Sequence, residues 1–368
     1  LAKLRDVDLG IPTANVLRWT VEPGLQGYDR ERTLAYIARL LDGLEAEPGV
    51  QSAGVVFSAP YASLSIPMVV MAPGESWDDD KVVTRSFQIT PGFLAAAGLE
   101  LIAGRNFSVR EAMVRDTAAP PLVILNERAA AALFPGVPPA DVVGRVLDTN
   151  GRLPRPVTII GVVRDARLVN VATEPAPYSF LPWSQGFPVG WFSVYARTLG
   201  APQELAQRVR ALSQTLDPAL PLVALQPLPA EIGVLLAEPR FVASLSLALA
   251  GLGLFLAAIG LYGVLAWSVT ERTREIGIRS ALGAQPARIR LHVVRGGLGL
   301  AVLGTAGGLL GALYLSRFIE SRLFGVERLD ALTWTVGSVL LFAFCALSSW
   351  IPARRATRID PMRALRQD

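Results

Sequence analysis

Between Ser268 and Arg290 the chain reads SVTERTREIGIRSALGAQPARIR, and this stretch holds its densest pattern of interacting charges. Glu271, Glu275 and Arg279 recur at i, i+4 and i+8, which places them on one helix face, and Glu275 ahead of Arg279 is the favourable order for an ion pair. Ile278 and Leu282 form a second, apolar stripe. Gly283 suits the end of that helix and Pro286 the first turn of the next. Arg288, His292 and Arg295 then share a face that can reach lipid phosphates. The chemistry available here is recognition by charge and an apolar ridge. A solvated hairpin lying on a membrane is the plainer reading of the spacing.

Groups for bond-making chemistry are scarce elsewhere. The single histidine, His292, excludes a histidine-based metal cluster. Lys3 and Lys81 are the only lysines and neither follows a glycine, so the G-x-x-x-x-G-K-[ST] phosphate loop is absent. Asp78, Asp79 and Asp80 could attract a cation, but a solvated turn is the stronger reading, and no metal site is expected. Asp165 and Glu174 lack a spacing that argues for acid–base work. The glycine-rich pieces do not form G-x-G-x-x-G between a strand and a helix.

The elements that must position the charged stretch are apolar. The chain is 51% hydrophobic with a mean hydropathy of +0.40, too apolar for an ordinary soluble protein of 368 residues. Residues 241–269, 296–316 and 331–353 contain no charged residue, and each is long enough to cross a hydrocarbon core of about 30 Å as a helix. The segment 270–295 carries six Arg against two Glu, and the tail 354–368 carries five Arg against two Asp. The connection 317–330 carries three charges of each sign. The bias of basic loops toward the cytoplasm places the first two segments inside and the neutral loop outside. Trp267 and Trp350 then fall at the inner interface, and Tyr314 and Trp334 at the outer one. Gly304, Gly307, Gly308 and Gly311 form overlapping G-x-x-x-G pairs, candidates for close helix packing in a dimer.

This orientation puts residues 1–238 outside the cytoplasm, ahead of a membrane domain over 239–368. The basic charge is confined to the latter: residues 241–368 have a net +7, while residues 1–240 have a net −3. That distribution follows membrane topology and gives no reason to expect nucleic acid as a partner. The first residues show no secretory signal, so a further span ahead of Leu1 is expected. The one cysteine, Cys345, lies in an apolar run, so the outer part folds without disulfides.

The outer part holds 24 of the 27 prolines and alternates short strands with helices. ANVLRWTVEP reads as a strand, DRERTLAYIARLLDGLEAE as an amphipathic helix and GVQSAGVVFSAP as a strand, a β-α-β unit. WFSVYAR, PQELAQRVRALSQTL and PLVALQPL repeat the pattern, and PLVILNERAAAALFPG with VTIIGVVRDA forms a second α+β region between them. The expected fold is an α+β extracytoplasmic domain with an inserted second α+β subdomain, followed by an all-α domain of three spans.

The segment ERTREIGIRSALGA resembles the cytoplasmic signature of the FtsX/MacB-like ABC transporter permeases. The tail PARRATRIDPMRALR resembles their C-terminus, with Asp360 and Pro361 placed as helix N-cap and first residue. VILNERAAAALFPG and VTIIGVVRDARLVNVATEPAPYSFLPWSQ resemble the MacB-like periplasmic core domain. The closest flavour is one half of the duplicated permeases of acidobacterial type. The resemblance implies a permease subunit that binds no cofactor itself and relays the ATP-driven motion of a partner ATPase to its outer domain, for export. It implies docking of that ATPase on Glu271, Arg272, Arg274, Glu275, Ile276, Gly277, Arg279, Leu282, Gly283 and Ala284. It also implies a second permease copy or half, the bilayer and a periplasmic adaptor as partners, in the inner membrane.

The sequence agrees on one point independently: no Asp, Glu, Lys, Arg or His lies inside a span, so an ion-coupled carrier has no relay groups of these types. The alternative is a non-transporting FtsX-type regulator of cell-wall enzymes. A membrane-anchored enzyme is disfavoured by the lack of histidine in the outer part.

Topology is testable directly. In intact cells a cysteine replacing Ser63 is expected to react with an impermeant maleimide, and one replacing Ser280 only after the membrane is opened. Labelling of Ser280→Cys from outside overturns the orientation.

Overall fold

The computed structural model describes residues 9–57, 60–61, 66–73, 81–114, 116, 118–149, 156–169, 174–185, 190–271 and 302–314, with isolated helical positions at 275, 278, 295, 299, 335, 337–339, 341–344 and 347. The chain divides into two compact units, Leu1–Arg240 and Phe241–Asp368.

The first unit begins with β1 (Val16–Val21), α1 (Arg30–Glu45) and β2 (Val50–Phe57). A long insertion follows: β3 (Ile66–Met71), β4 (Val82–Ile89), α2 (Gly92–Ala97), β5 (Leu101–Gly104), α3 (Val109–Met113), β6 (Leu122–Asn126), α4 (Glu127–Leu133), α5 (Pro139–Val142), β7 (Val146–Thr149), β8 (Val157–Val163) and β9 (Tyr178–Pro182). It closes with β10 (Phe192–Thr198), α6 (Pro202–Leu216), β11 (Leu222–Pro227) and α7 (Leu228–Leu235). Next come α8 (Ala237–Glu271) and, in the second unit, α9 (Val302–Tyr314).

β1 lies between β11 and β10, antiparallel to both, and β10 continues antiparallel onto β2. The order β11-β1-β10-β2 interlocks two split β-α-β units, the ferredoxin-like arrangement. The insertion leaves after β2 and returns at β10. Its strands do not form a separate sheet. β4 pairs with β2 and β3, and also parallel with β9. From β4 the pairing runs through β3, β7, β8, β6 and β9 back to β4, so this half closes on itself and hides its edges. The two regions read from the sequence are joined through one shared strand.

The helices form where periodicity meets a cap. Asp29 accepts from the Arg32 N–H at 2.8 Å and starts α1, which buries Tyr36, Ile37, Leu40 and Leu44. Pro202 opens α6, whose Leu205 and Val209 face the same core as Leu17, Trp19 and Val21 of β1. The alternate β1 residues, Val16, Arg18 and Thr20, point to the opposite face. There α7 contributes Leu228, Ile232 and Leu236 to a core that also holds Val16, Phe93 and Phe180. A third core, including Val70, Leu125, Leu147 and Ile159, fills the closed half.

Where β2 meets α2, sterics alone demand glycine. A Cβ on Gly54 of β2 would lie 2.1 Å from the Phe93 nitrogen at the start of α2. In the αL region, Ala224 of β11 has φ 53°, at the register shift opposite Arg18 and Thr20 of β1. That bulge bends β11 as it hands the chain to α7.

At α3, Ser108 and Glu111 form a reciprocal capping box, and Arg105 donates to both Glu111 oxygens at 2.8 and 2.7 Å. The Arg105 hydrogen bonds, reinforced by those from Ser108, hold the Glu111 carboxyl down at about 2.

Gly54→Ala is expected to cost about 1–3 kcal/mol, since backbone must move to admit the methyl; thermal unfolding of the full chain in detergent measures it. Glu111 has a depressed folded-state pKa, so its contribution is full above the ordinary carboxylate value and disappears as the pH falls toward about 2. Glu111→Gln is therefore expected to lower the unfolding midpoint at pH 7, with the gap to wild type closing progressively in acid.

Candidate functional site

α8 is the element that leads into the charged stretch of the sequence and ends at its first acidic residue, Glu271. Its segment Arg240–Ser268 runs for 29 residues, about 43 Å of helix at 1.5 Å per residue, and its most apolar 18 residues have a mean hydropathy of 2.3. Apolar side chains emerge on every side: Phe241, Val242, Leu247, Leu249, Phe255 and Val264 are 53–66% exposed. An amphipathic surface helix buries one stripe, whereas this one buries none and calls for an apolar solvent.

The helix carries its backbone past the last apolar residue to Glu271, which is exposed. Glu275 and Ile278 are also helical and exposed, so Glu271, Glu275 and Ile278 follow at i, i+4 and i+7 on one face. Arg272, Arg274, Ile276, Gly277, Arg279, Leu282, Gly283 and Ala284 lie outside the described residues, as do Asp78, Asp79, Asp80 and the segments 315–334 and 348–368.

Gly304, Gly307, Gly308 and Gly311 all lie on α9, and no described atom comes within 4 Å of a Cβ built on any of them. Thr305 is buried beside them, while Leu303 and Leu310 are 74% and 69% exposed. Within the described chain the glycine stripe is not used for packing.

In the first unit the acidic groups are engaged in structure. Asp165 accepts from Asn126 Nδ2 at 2.7 Å and from the Arg128 N–H at 3.0 Å, at the N-terminus of α4. Burial raises its pKa, with the Arg128 hydrogen bond opposing. Glu174 pairs with Arg167 at 3.6 Å. Among the described residues no three His, Cys, Asp or Glu side chains cluster as metal ligands.

The polar centre that sequence reasoning missed lies under α7. Arg18 Nη1 meets Glu231 Oε1 at 3.3 Å, with both side chains largely buried, and Arg18 Nη2 donates to Ser193 Oγ at 3.0 Å. The signal was present, since Arg18 is the one charged residue in VLRWTV, a strand buried along its whole length. Its partner, 213 positions later, carries no such mark.

Two family profiles match the chain: the MacB-like periplasmic core domain over residues 5–212 and the FtsX-like permease C-terminal domain over residues 247–361. The chain is 27% identical over 291 residues to an uncharacterized ABC transporter permease, YknZ, of Bacillus subtilis, covering 76% of this chain and 69% of that one. It is 33% identical over 118 residues to the macrolide export ATP-binding/permease protein MacB of Salmonella paratyphi A, covering 32% of this chain and spanning only 18% of that relative's length. The crystal structure of the periplasmic region of MacB from Actinobacillus actinomycetemcomitans aligns with 58% of this chain and 89% of its own, at 18% identity and a TM-score of 0.37. With one profile covering most of the first unit and the other most of the second, the chain belongs to the MacB/FtsX family of ABC transporter permeases.

Proposed function

We propose that this chain is the membrane subunit of a mechanotransmitting export system, relaying the motion of a separate ATPase to its own outer domain. The observation that carries the reading is the continuous helix α8, apolar on all sides from Phe241 and ending at the exposed Glu271, with the exposed, helical Glu275 beyond it. A helix of this kind joins what lies on one side of a bilayer to what lies on the other, with no Asp, Glu, Lys, Arg or His between Phe241 and Val269. In this reading residues 1–238 are the periplasmic domain and 239–368 the permease domain of an inner-membrane protein. The spans are 241–269, 296–316 and 331–353, the coupling segment is 270–295 and the cytoplasmic tail 354–368.

The ATPase docks on the coupling segment through Glu271, Arg272, Arg274, Glu275, Ile276, Gly277, Arg279, Leu282, Gly283 and Ala284. ATP is bound by that partner, because this chain has no phosphate loop. The open glycine face of α9 receives a second permease copy or half, since small residues let helix backbones approach closely. A periplasmic adaptor completes the assembly.

Gly277→Trp is expected to abolish co-purification of the ATPase while membrane insertion persists, because the spans are untouched. Arg279→Glu places a like charge four residues from Glu275, which costs the helix only about 0.2–0.5 kcal/mol. Any larger loss must come from the partner, where removing one member of a desolvated charge pair can cost about 2–5 kcal/mol. The measurement is recovery of the ATPase on wild type and both variants at matched expression. Unchanged recovery in all three overturns docking at this segment.

A further inference from the structure

α7 is held to the outer unit in two ways. Leu228, Ile232 and Leu236 are buried on the face of the sheet that also bears Val16. Between them, Glu231 Oε1 reaches Arg18 Nη1 at 3.3 Å, with side-chain exposures of 14% and 9%. This ion pair is incompletely served. Arg18 Nε, Glu231 Oε2 and the hydroxyls of Tyr61 and Tyr195 are all buried without a hydrogen-bond partner. Burial holds the Glu231 carboxyl above the ordinary carboxylate range, and the opposing pull of Arg18 does not cancel it. Two charges removed from water, with atoms left unpaired, hold a helix less firmly than apolar side chains of the same size would.

The neighbourhood of α7 adds to this. The chain enters it from β11, whose Ala224 sits at φ 53°, a conformation that is costly for any residue with a Cβ. It leaves through Leu236 alone before α8 begins at Ala237. The helix fastened by a poorly satisfied pair and entered through a strained bulge is therefore the one tied most directly to the long apolar helix. α1 and α6, on the other face of this sheet, are fixed by apolar side chains.

We propose that α7 is a releasable strap, held on β1 by the Arg18–Glu231 contact and able to lift as a unit while the sheet beneath stays folded. Its use in the transport cycle rests on the force-transmitting reading above: movement of α8 would lift α7 and free the β1 face it covers. Arg18 and Glu231 are positioning residues in this scheme. A pair chosen for stability alone would gain from apolar replacement without functional loss.

Amide hydrogen exchange of the full chain in lipid nanodiscs, without ATPase, tests the strap. Amides from Ala230 to Leu236 are expected to exchange together, on the order of tenfold or more faster than those of α1. Glu231→Arg, which sets two cations together, should accelerate them further. The exchanged pair Arg18→Glu with Glu231→Arg should restore the wild-type rate. The apolar pair Arg18→Met with Glu231→Leu should slow exchange below wild type. Exchange in α7 as slow as in α1, no rescue by the exchanged pair, or no slowing by the apolar pair overturns the proposal.

A second arm adds the partner ATPase with ATP. Faster exchange of α7 in wild type but not in the apolar pair is the expected result. A strap that passes the first arm and ignores ATP overturns the force-transmitting reading, and the strap itself stands.

Discussion

An apolar exterior that no described residue covers is the constraint on which the rest of this structure depends. α8 satisfies its own backbone hydrogen bonds and exposes hydrocarbon in every direction, the combination that a bilayer accepts and water does not. Everything polar must then collect at its ends. That requirement leaves Glu271 and Glu275 beyond the apolar stretch and a compact α+β unit ahead of it. The unit resolves its own polar exceptions locally, with Glu111 tied to Arg105 and Ser108, and Asp165 held by Asn126 and the start of α4. At Arg18 and Glu231 the settlement is incomplete.

How much of this was legible depends on range. Local periodicity is enough to show α1, because Ile37, Leu40 and Leu44 recur at helical spacing behind the cap Asp29. The same holds for α6 and for the strands on either side of both helices. Pairing is a different matter. Nothing in VVTRSFQI announces that one strand will border β2, β3 and β9 at once, because the decision lies in partners up to about a hundred residues away. IPMVVM and YSFLP are short and fully apolar or nearly so, and such runs say little about type or register. Close approaches such as Gly54 on Phe93 are likewise invisible until the backbone path is known.

The candidate site divides in the same way. The charge pattern after the apolar run is a local feature and reads directly. Its meaning as a docking segment comes from the resemblance of REIGIR and LGA to a family and not from the spacing, which suits a solvated hairpin equally well. The Arg18–Glu231 contact depends on two residues that no local rule connects, and only a folded chain brings them together.

The strand order of the outer unit also sets a timetable. β1 is made long before both its neighbours, β10 and β11, which come from residues 192–227. Until then its buried face has no sheet to join. Contacts this distant in sequence are slow to form, and a hydrophobic strand waiting for them is prone to association with other chains. The last of these strands is complete ten residues before α8 starts. Assembly of the outer unit can therefore finish only as synthesis delivers the apolar helix, so chain folding and insertion into lipid become neighbouring events, competing in time as well as in sequence.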